Sequence, residues 1–328
     1  MFAINKINFF KTQIFKFSSG IIAKMSPKID EEIWFPKTIE DVIKMEKKTL
    51  KGGIELKSDH PGFKDKDYLR RREEISNISN AYQLGDKIPF VKYTKEENEC
   101  WELLYNTLGD LHEKHACKEF NHNRKLLQIN NVFNSKEIPQ MENINKYLNH
   151  TNNWFYKPVD GILTERQFLN ALAFRVFYST QFIRHTSLPF FSAEPDLIHE
   201  YLGHAPLFAD KDICQLSQDI GIASLGASDE IIRQLSAIYW YTIEFGFCME
   251  NGVVKMFGAG VLACVDDIQR IALEKSNKPQ IRDFNINEMI NINYSLVDLQ
   301  EIYFILPSFQ SFKTEFYSYL KTIKKAKV

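Results

Sequence analysis

Two histidines five residues apart, His199 and His204, sit in the segment SAEPDLIHEYLGHAPLFAD and constrain this chain more than any other feature. On an ideal α-helix five positions rotate by about 140°, so the two rings would not share a face. Gly203 offers a way round this, because glycine commonly ends a helix and the turn it allows swings His204 back beside His199. The spacing differs from the HExxH zinc motif, whose histidines stand four apart on one face. Neutral imidazoles suit several transition metals. A carboxylate as third ligand, with positions left open, points to a non-haem Fe(II) site. Glu194, Asp196, Glu200 and Glu244 are the candidates. Glu200 adjoins His199 and points elsewhere on a helix. Glu244 lies in IYWYTIEFG, where a lone carboxylate is costly to bury unless paired or metal-bound. It is the choice on physical grounds. The competing reading takes both histidines as ordinary, partly buried side chains.

The surrounding pattern predicts a mainly α (α+β) fold: a single compact helical domain with short β-hairpins. Helices are expected over 41–51, 67–84, 94–116, 164–184, 194–203 and 229–247. Thr94 and Glu97 fit a capping box, and Trp101, Leu104 and Leu108 recur at helical spacing, with Leu111 a further candidate. Residues 57–67 are rich in turn formers. Asn251-Gly252 between apolar runs signals a hairpin. The strand–helix alternation of a doubly wound sheet is missing. Residues 1–29 read as a tail and 30–328 as one domain.

A formal net charge of -1 gives no electrostatic reason to expect a nucleic-acid partner. No apolar run reaches the ~20 residues that span a bilayer. Five cysteines without a CxxC pair argue against a disulfide scaffold and for a reducing, cytoplasmic setting. The first 29 residues contain Lys6, Lys11, Lys16, Lys24 and Lys28 and no acid, in which they resemble a mitochondrial presequence, although they lack arginine.

The motifs EPDLIHEYLGHAPLFAD, SQDIGIASLGASDE, IYWYTIEFG, FRVFYSTQFIRH, DHPGFKD and the GAG at Gly258–Gly260 together resemble the pterin-dependent aromatic amino acid hydroxylases. The likeness runs in one order from Trp34 to near Phe312. It implies that residues 30–328 are a catalytic domain with Fe(II) held by His199, His204 and Glu244. It implies a tetrahydrobiopterin, or another reduced pterin or folate, beside Gly161, Ile162 and Leu163, stacked on Phe168 and completed by Tyr239 and Glu200. Arg184 would grip the substrate carboxylate, for which a guanidinium fork is suited. Ser192, Pro195, Trp240 and Phe245 would line the substrate site. Glu200, Arg184 and Trp240 would act closest to the chemistry, and Arg72 and Glu194 would form a structural ion pair. The partners implied are dioxygen, the pterin and an aromatic amino acid. Phenylalanine is favoured, tyrosine is the alternative, and Trp240 argues against tryptophan.

Two residues depart from the family pattern. Ala263 lacks the hydroxyl that usually supports a ligand histidine, and Glu165 stands where a small polar residue is common. With about 30 residues before the domain and no long heptad helix after it, a monomer or weak dimer is expected. Two other readings compete: a zinc hydrolase on the same histidines, and a structural metal site built from His112, His115, Cys117 and His122.

Overall fold

Thr94 opens the longest helix as the capping-box reading requires, its hydroxyl accepting from the Glu97 N–H while the Glu97 carboxylate accepts from the Thr94 N–H. In this computed structural model the described residues are 33–45, 56, 60–272, 278–295 and 298–323. The expected tail at 1–29 lies outside them. Trp34–Val328 forms one compact unit. The helices before the first strand are α1 (Ile39–Met45), α2 (Lys66–Asn80), α3 (Lys95–His115), α4 (Lys118–Ile129) and α5 (Met141–Asn152). Trp101, Leu104 and Leu108 of α3 are fully buried, and Leu111 packs at the margin of the same core. The end of the first expected helix, 46–51, lies outside the described residues, and α2 stops at Asn80 rather than running to 84.

The long helix expected over 164–184 is not what forms. A second capping box, Thr164 with Gln167, starts α6 (Glu165–Leu172), but the chain then turns at Arg175, where φ is 56°. It continues as β2 (Val176–Ser179), paired in parallel with β1 (Phe155–Pro158). Every residue of β2 is buried. A strand buried on both faces is a continuous apolar run, which periodicity does not separate from a buried helix.

The C-terminal half contains α7 (Ala205–Phe208), α8 (Lys211–Ser224), α9 (Asp229–Tyr239), β3 (Phe247–Glu250), β4 (Val253–Met256), α10 (Ala259–Leu262), α11 (Val265–Ala272), β5 (Gln280–Asp283), α12 (Ile286–Met289), β6 (Ile302–Leu306) and α13 (Phe309–Thr322). The expected hairpin is β3–β4, with both turn residues at positive φ, 50° for Asn251 and 78° for Gly252. Hairpins do not account for the other strand pairs. The four-stranded sheet has the order β4-β3-β6-β5, and β6 lies parallel to both of its neighbours. The chain is thus mainly helical with small sheets.

His112, on α3, is fully buried, and its Nε2 donates to the Leu262 carbonyl at 2.6 Å. Burial and then the Arg124 charge push its pKa down from 6.5 to about 3, against the opposing pull of the Leu262 bond. The ring is neutral in the folded chain and titrates in the unfolded one. Between those two values the unfolded state binds more protons, so stability drops as pH falls below about 6.5. We expect this ring to cost about 2 kcal/mol of stability between pH 7 and pH 5, at about 1.4 kcal/mol per pK unit. Urea titrations of His112→Gln should show a shallower acid limb, and an unchanged limb would refute the assignment.

Candidate metal centre and ligand cavity

The helix that carries the two histidines is wound differently from the expected one. Ile198–His204 is a π-helix, preceded by a non-helical stretch that holds Pro195, and it runs without interruption into α7. A π-helix, bonded i→i+5, is wound more loosely than an α-helix, so His199 and His204 fall on roughly one side without a break in the helix. The explanation that Gly203 ends a helix is therefore wrong. Gly203 is needed for close approach: a Cβ there would lie 2.6 Å from the Ala259 carbonyl oxygen of α10.

The glutamate arrives on a second π-helical turn. Helix α9 does not run on to 247 but passes into Trp240–Glu244, closed by a Phe245 N–H to Trp240 carbonyl bond of 2.9 Å. A Cβ on Gly258 would lie 2.4 Å from the Glu244 carbonyl oxygen. The Gly258-Ala259 turn is thus wedged between the two π-helical turns and sets their separation. One explicit signal for it was in the sequence: glycines flanking an alanine, next to an apolar run.

Folding brings the three side chains together. His199 Nε2 and His204 Nε2 are 3.0 Å apart, and Glu244 reaches His204 at 3.1 Å and His199 at 3.3 Å. Burial alone would raise the Glu244 carboxyl, but the charges and N–H groups of His204 and His199 outweigh it and hold the pKa well below the usual carboxylate range. Burial lowers His204, favouring the neutral imidazole that binds metals. Phe177 and Phe208 pack on the His204 ring, with centroids at 4.5 and 5.5 Å. Among the described residues, His204 Nδ1 is buried without a hydrogen-bond partner. Ala263 offers only its backbone carbonyl, and that accepts from Arg184. Two imidazole nitrogens and one carboxylate on one side fit a ferrous ion with open positions.

The residues expected to meet the pterin and the substrate (Gly161, Ile162, Leu163, Phe168, Tyr239 and Glu200; Arg184, Ser192, Pro195, Trp240 and Phe245) line one cavity of about 1040 Å³ with these three side chains. On one side Phe168 meets Tyr239 edge-on at 5.1 Å, near Gly161 and Leu163. Burial pushes the Glu200 carboxyl up to about 8. In its protonated form it can donate one hydrogen bond as well as accept. Its Oε2 and the Tyr239 hydroxyl are buried without partners among the described residues.

On the other side Trp240 packs on Phe245 at 4.7 Å and stacks on Tyr294 at 4.7 Å. Its indole N–H donates to Gln300 at 3.0 Å. Glu165, the unexpected acid, accepts from the Tyr294 hydroxyl at 2.7 Å. Tyr294 and Gln300 were invisible to sequence reasoning, since nothing local links them to a tryptophan more than fifty positions earlier. Ser192 turns its hydroxyl onto the Glu194 carbonyl at 2.7 Å, and the Pro195 carbonyl accepts from Thr180 at 2.9 Å.

Arg184 is more tightly committed than expected. Its Nε and Nη2 donate to Asp196 at 3.0 and 2.7 Å, and Nη1 donates to the carbonyls of Pro189 and Ala263. Four of the five N–H groups are engaged, which leaves one Nη2 hydrogen for a ligand. Asp196, one of the four candidate metal carboxylates, is instead the fixed partner of this arginine. The expected Arg72–Glu194 pair is present at 2.8 Å, with Arg72 also lying over the Phe182 ring.

The other metal reading fails on geometry. Among the described residues, His112, His115 and His122 do not join Cys117 in a ligand cluster. His112 is bound to Leu262 as described above.

A family model described as biopterin-dependent aromatic amino acid hydroxylase matches residues 33–328. The chain belongs to that family. It is 44% identical over 296 residues to the phenylalanine-4-hydroxylase of Caenorhabditis elegans, covering 90% of this chain and 64% of the relative. It is 40% identical over 298 residues to the human phenylalanine-4-hydroxylase, covering 91% and 65%. A tyrosine 3-monooxygenase of Schistosoma mansoni is 41% identical over 299 residues, covering 91% and 64%. The chain spans a little under two thirds of the length of these relatives. Among solved structures, the phenylalanine hydroxylase of Chromobacterium violaceum with bound iron(III) and 7,8-dihydrobiopterin has a TM-score of 0.63 at 25% identity, covering 70% of this chain and 82% of that one.

Proposed function

We propose that this chain is a monooxygenase that hydroxylates the ring of L-phenylalanine to give L-tyrosine, using Fe(II), dioxygen and a tetrahydropterin. The observation that carries this reading is the convergence of His199, His204 and Glu244 within one cavity that also holds an aromatic wall and a buried arginine. The metal and the reduced pterin supply the redox chemistry when bound; the protein's part is to orient the reactants and exclude water. His199, His204 and Glu244 hold the iron. Phe168 and Tyr239 present aromatic surface to the pterin, and Glu200 meets its polar edge from beside His199. Trp240, Phe245, Pro195 and Ser192 receive the substrate, with Arg184 offering its remaining N–H to the carboxylate. The gap of partners at Glu200 Oε2 and Tyr239 suits a ligand with both donors and acceptors.

Tyrosine is the second reading, supported by the Schistosoma relative. A zinc hydrolase is disfavoured by the absence of an HExxH motif with its general-base glutamate and by the family. The reading also includes small-molecule partners, a monomer or weak dimer, and a reducing compartment such as the cytoplasm. The five cysteines are free thiols. The apolar side chains Phe312 and Phe316 of α13 turn into the protein's own core. Among the described residues no helix is long and apolar enough to cross a membrane. Anaerobic reconstitution with Fe(II), followed by product analysis with phenylalanine, tyrosine and tryptophan in parallel, tests the proposal. Iron- and pterin-dependent tyrosine formation is expected, and the absence of any ring-hydroxylated product refutes it.

A further inference from the structure

Away from the cavity, a second set of metal-ligating side chains meets where the corner between α3 and α4 docks against the β3–β4 hairpin. The Cys117 N–H donates to the Met256 carbonyl at 2.9 Å, and Ala116 bridges to Met256, so the corner is pinned to β4. Cys248 and Glu250 stand two apart on β3 and therefore share a face of the strand. One ligand atom from each of Cys117, Cys248 and Glu250 lies within 4.8 Å of the other two. Both thiols are buried, Cys117 at 1% and Cys248 at 6% exposure, while Glu250 is half-buried. The Glu250 carboxylate is held in place by the Lys118 N–H at 2.8 Å. Neither cysteine has a part in the chemistry proposed above, and both are free.

We propose that Cys117, Cys248 and Glu250 form a site for a thiophilic divalent cation, of the Zn²⁺ or Cd²⁺ type. Two thiolates select such ions over Mg²⁺ or Ca²⁺, and a carboxylate is an accepted third ligand. Binding forms two metal–sulfur bonds and releases two thiol protons to solvent, with no change in oxidation state. Three protein ligands leave a fourth position to water, so the ion exchanges with solvent rather than being locked in. All three ligands sit on backbone fixed by sheet or helix hydrogen bonding, so little rearrangement is needed. The ion ties the α3–α4 corner to the strand that follows the Glu244 turn.

The test uses the full chain, loaded with Fe(II) under anaerobic conditions so that the histidine site is filled, and titrated with Cd²⁺ alone. The expected result is an ultraviolet thiolate-to-cadmium band that saturates at one ion per chain, with a raised Tm. Cys248→Ser and Cys117→Ser should each lose the band, whereas Cys100→Ser, Cys214→Ser and Cys264→Ser should keep it. Glu250→Gln should weaken binding by about 10-fold or more. Should a cysteine variant fail to fold, protection of Cys117 and Cys248 from alkylation by Cd²⁺ in the unaltered chain gives the same answer. No saturable band, a band that survives Cys248→Ser, or a Cys117–Cys248 disulfide that forms in mild oxidant while Cd²⁺ gives no protection would each overturn the proposal.

Discussion

Glu244→Gln is expected to lower Fe(II) affinity by roughly 100-fold or more and to take hydroxylation below detection, since even loss of an outer partner of a metal ligand costs ~10–100-fold. Glutamine keeps the shape of the side chain but removes the negative charge that faces His199 and His204 at 3.3 and 3.1 Å. The fold should survive, because the change leaves no buried charge and no cavity. Anaerobic equilibrium dialysis with Fe(II), alongside circular dichroism, separates loss of metal from loss of structure. Iron binding with undiminished affinity in a folded Glu244→Gln chain would show that the carboxylate is not a ligand. Asp196→Asn provides a contrast, as that acid faces Arg184 instead of the metal.

Arg184→Ala is expected to destabilise the chain by about 3–5 kcal/mol, the usual result of stripping one partner from a buried ion pair. Arg184 is 4% exposed and Asp196 fully buried, so the aspartate would be left as an uncompensated charge in the interior. Chemical denaturation measures the loss. The double variant Arg184→Met, Asp196→Asn removes both charges and should recover much of the stability, because breaking a buried pair costs more than replacing it. If Arg184 also binds the substrate carboxylate, the double variant should stay folded with a raised KM for phenylalanine. Full recovery of both stability and KM would assign the arginine to structure alone.

These two effects draw on different parts of what the sequence made legible. The candidate metal ligands could be picked out in advance, because a carboxylate stranded among aromatics and two histidines five apart around Gly203 are chemically conspicuous wherever they fold. The α3 capping box and the hairpin at Asn251-Gly252 were legible for a related reason: each depends on a few neighbouring residues. The continuation of α6 as a helix was misread because the fully buried strand β2 has the same composition as a buried helix, and Arg175 at positive φ carries no residue-type signal for a break. The π-helical winding was also hidden, since a test for 3.6-residue periodicity cannot register a short, more loosely wound turn.

The amino-acid order by itself determined the short-range chemistry: which side chains can ligate a metal, where helices are capped, where a tight turn reverses the chain. Only the tertiary structure decided how far apart the His199–His204 and Glu244 turns sit, that Asp196 is occupied by Arg184 and is no metal ligand, and that Tyr294 and Gln300 close around Trp240. Those outcomes depend on contacts between segments distant in the chain, such as Ala259 against Gly203, where backbone meets backbone and no side-chain pattern marks the approach. Local forces act between near neighbours and leave a trace in their spacing. Long-range packing is a property of the whole folded chain, so its trace appears only once the chain has folded.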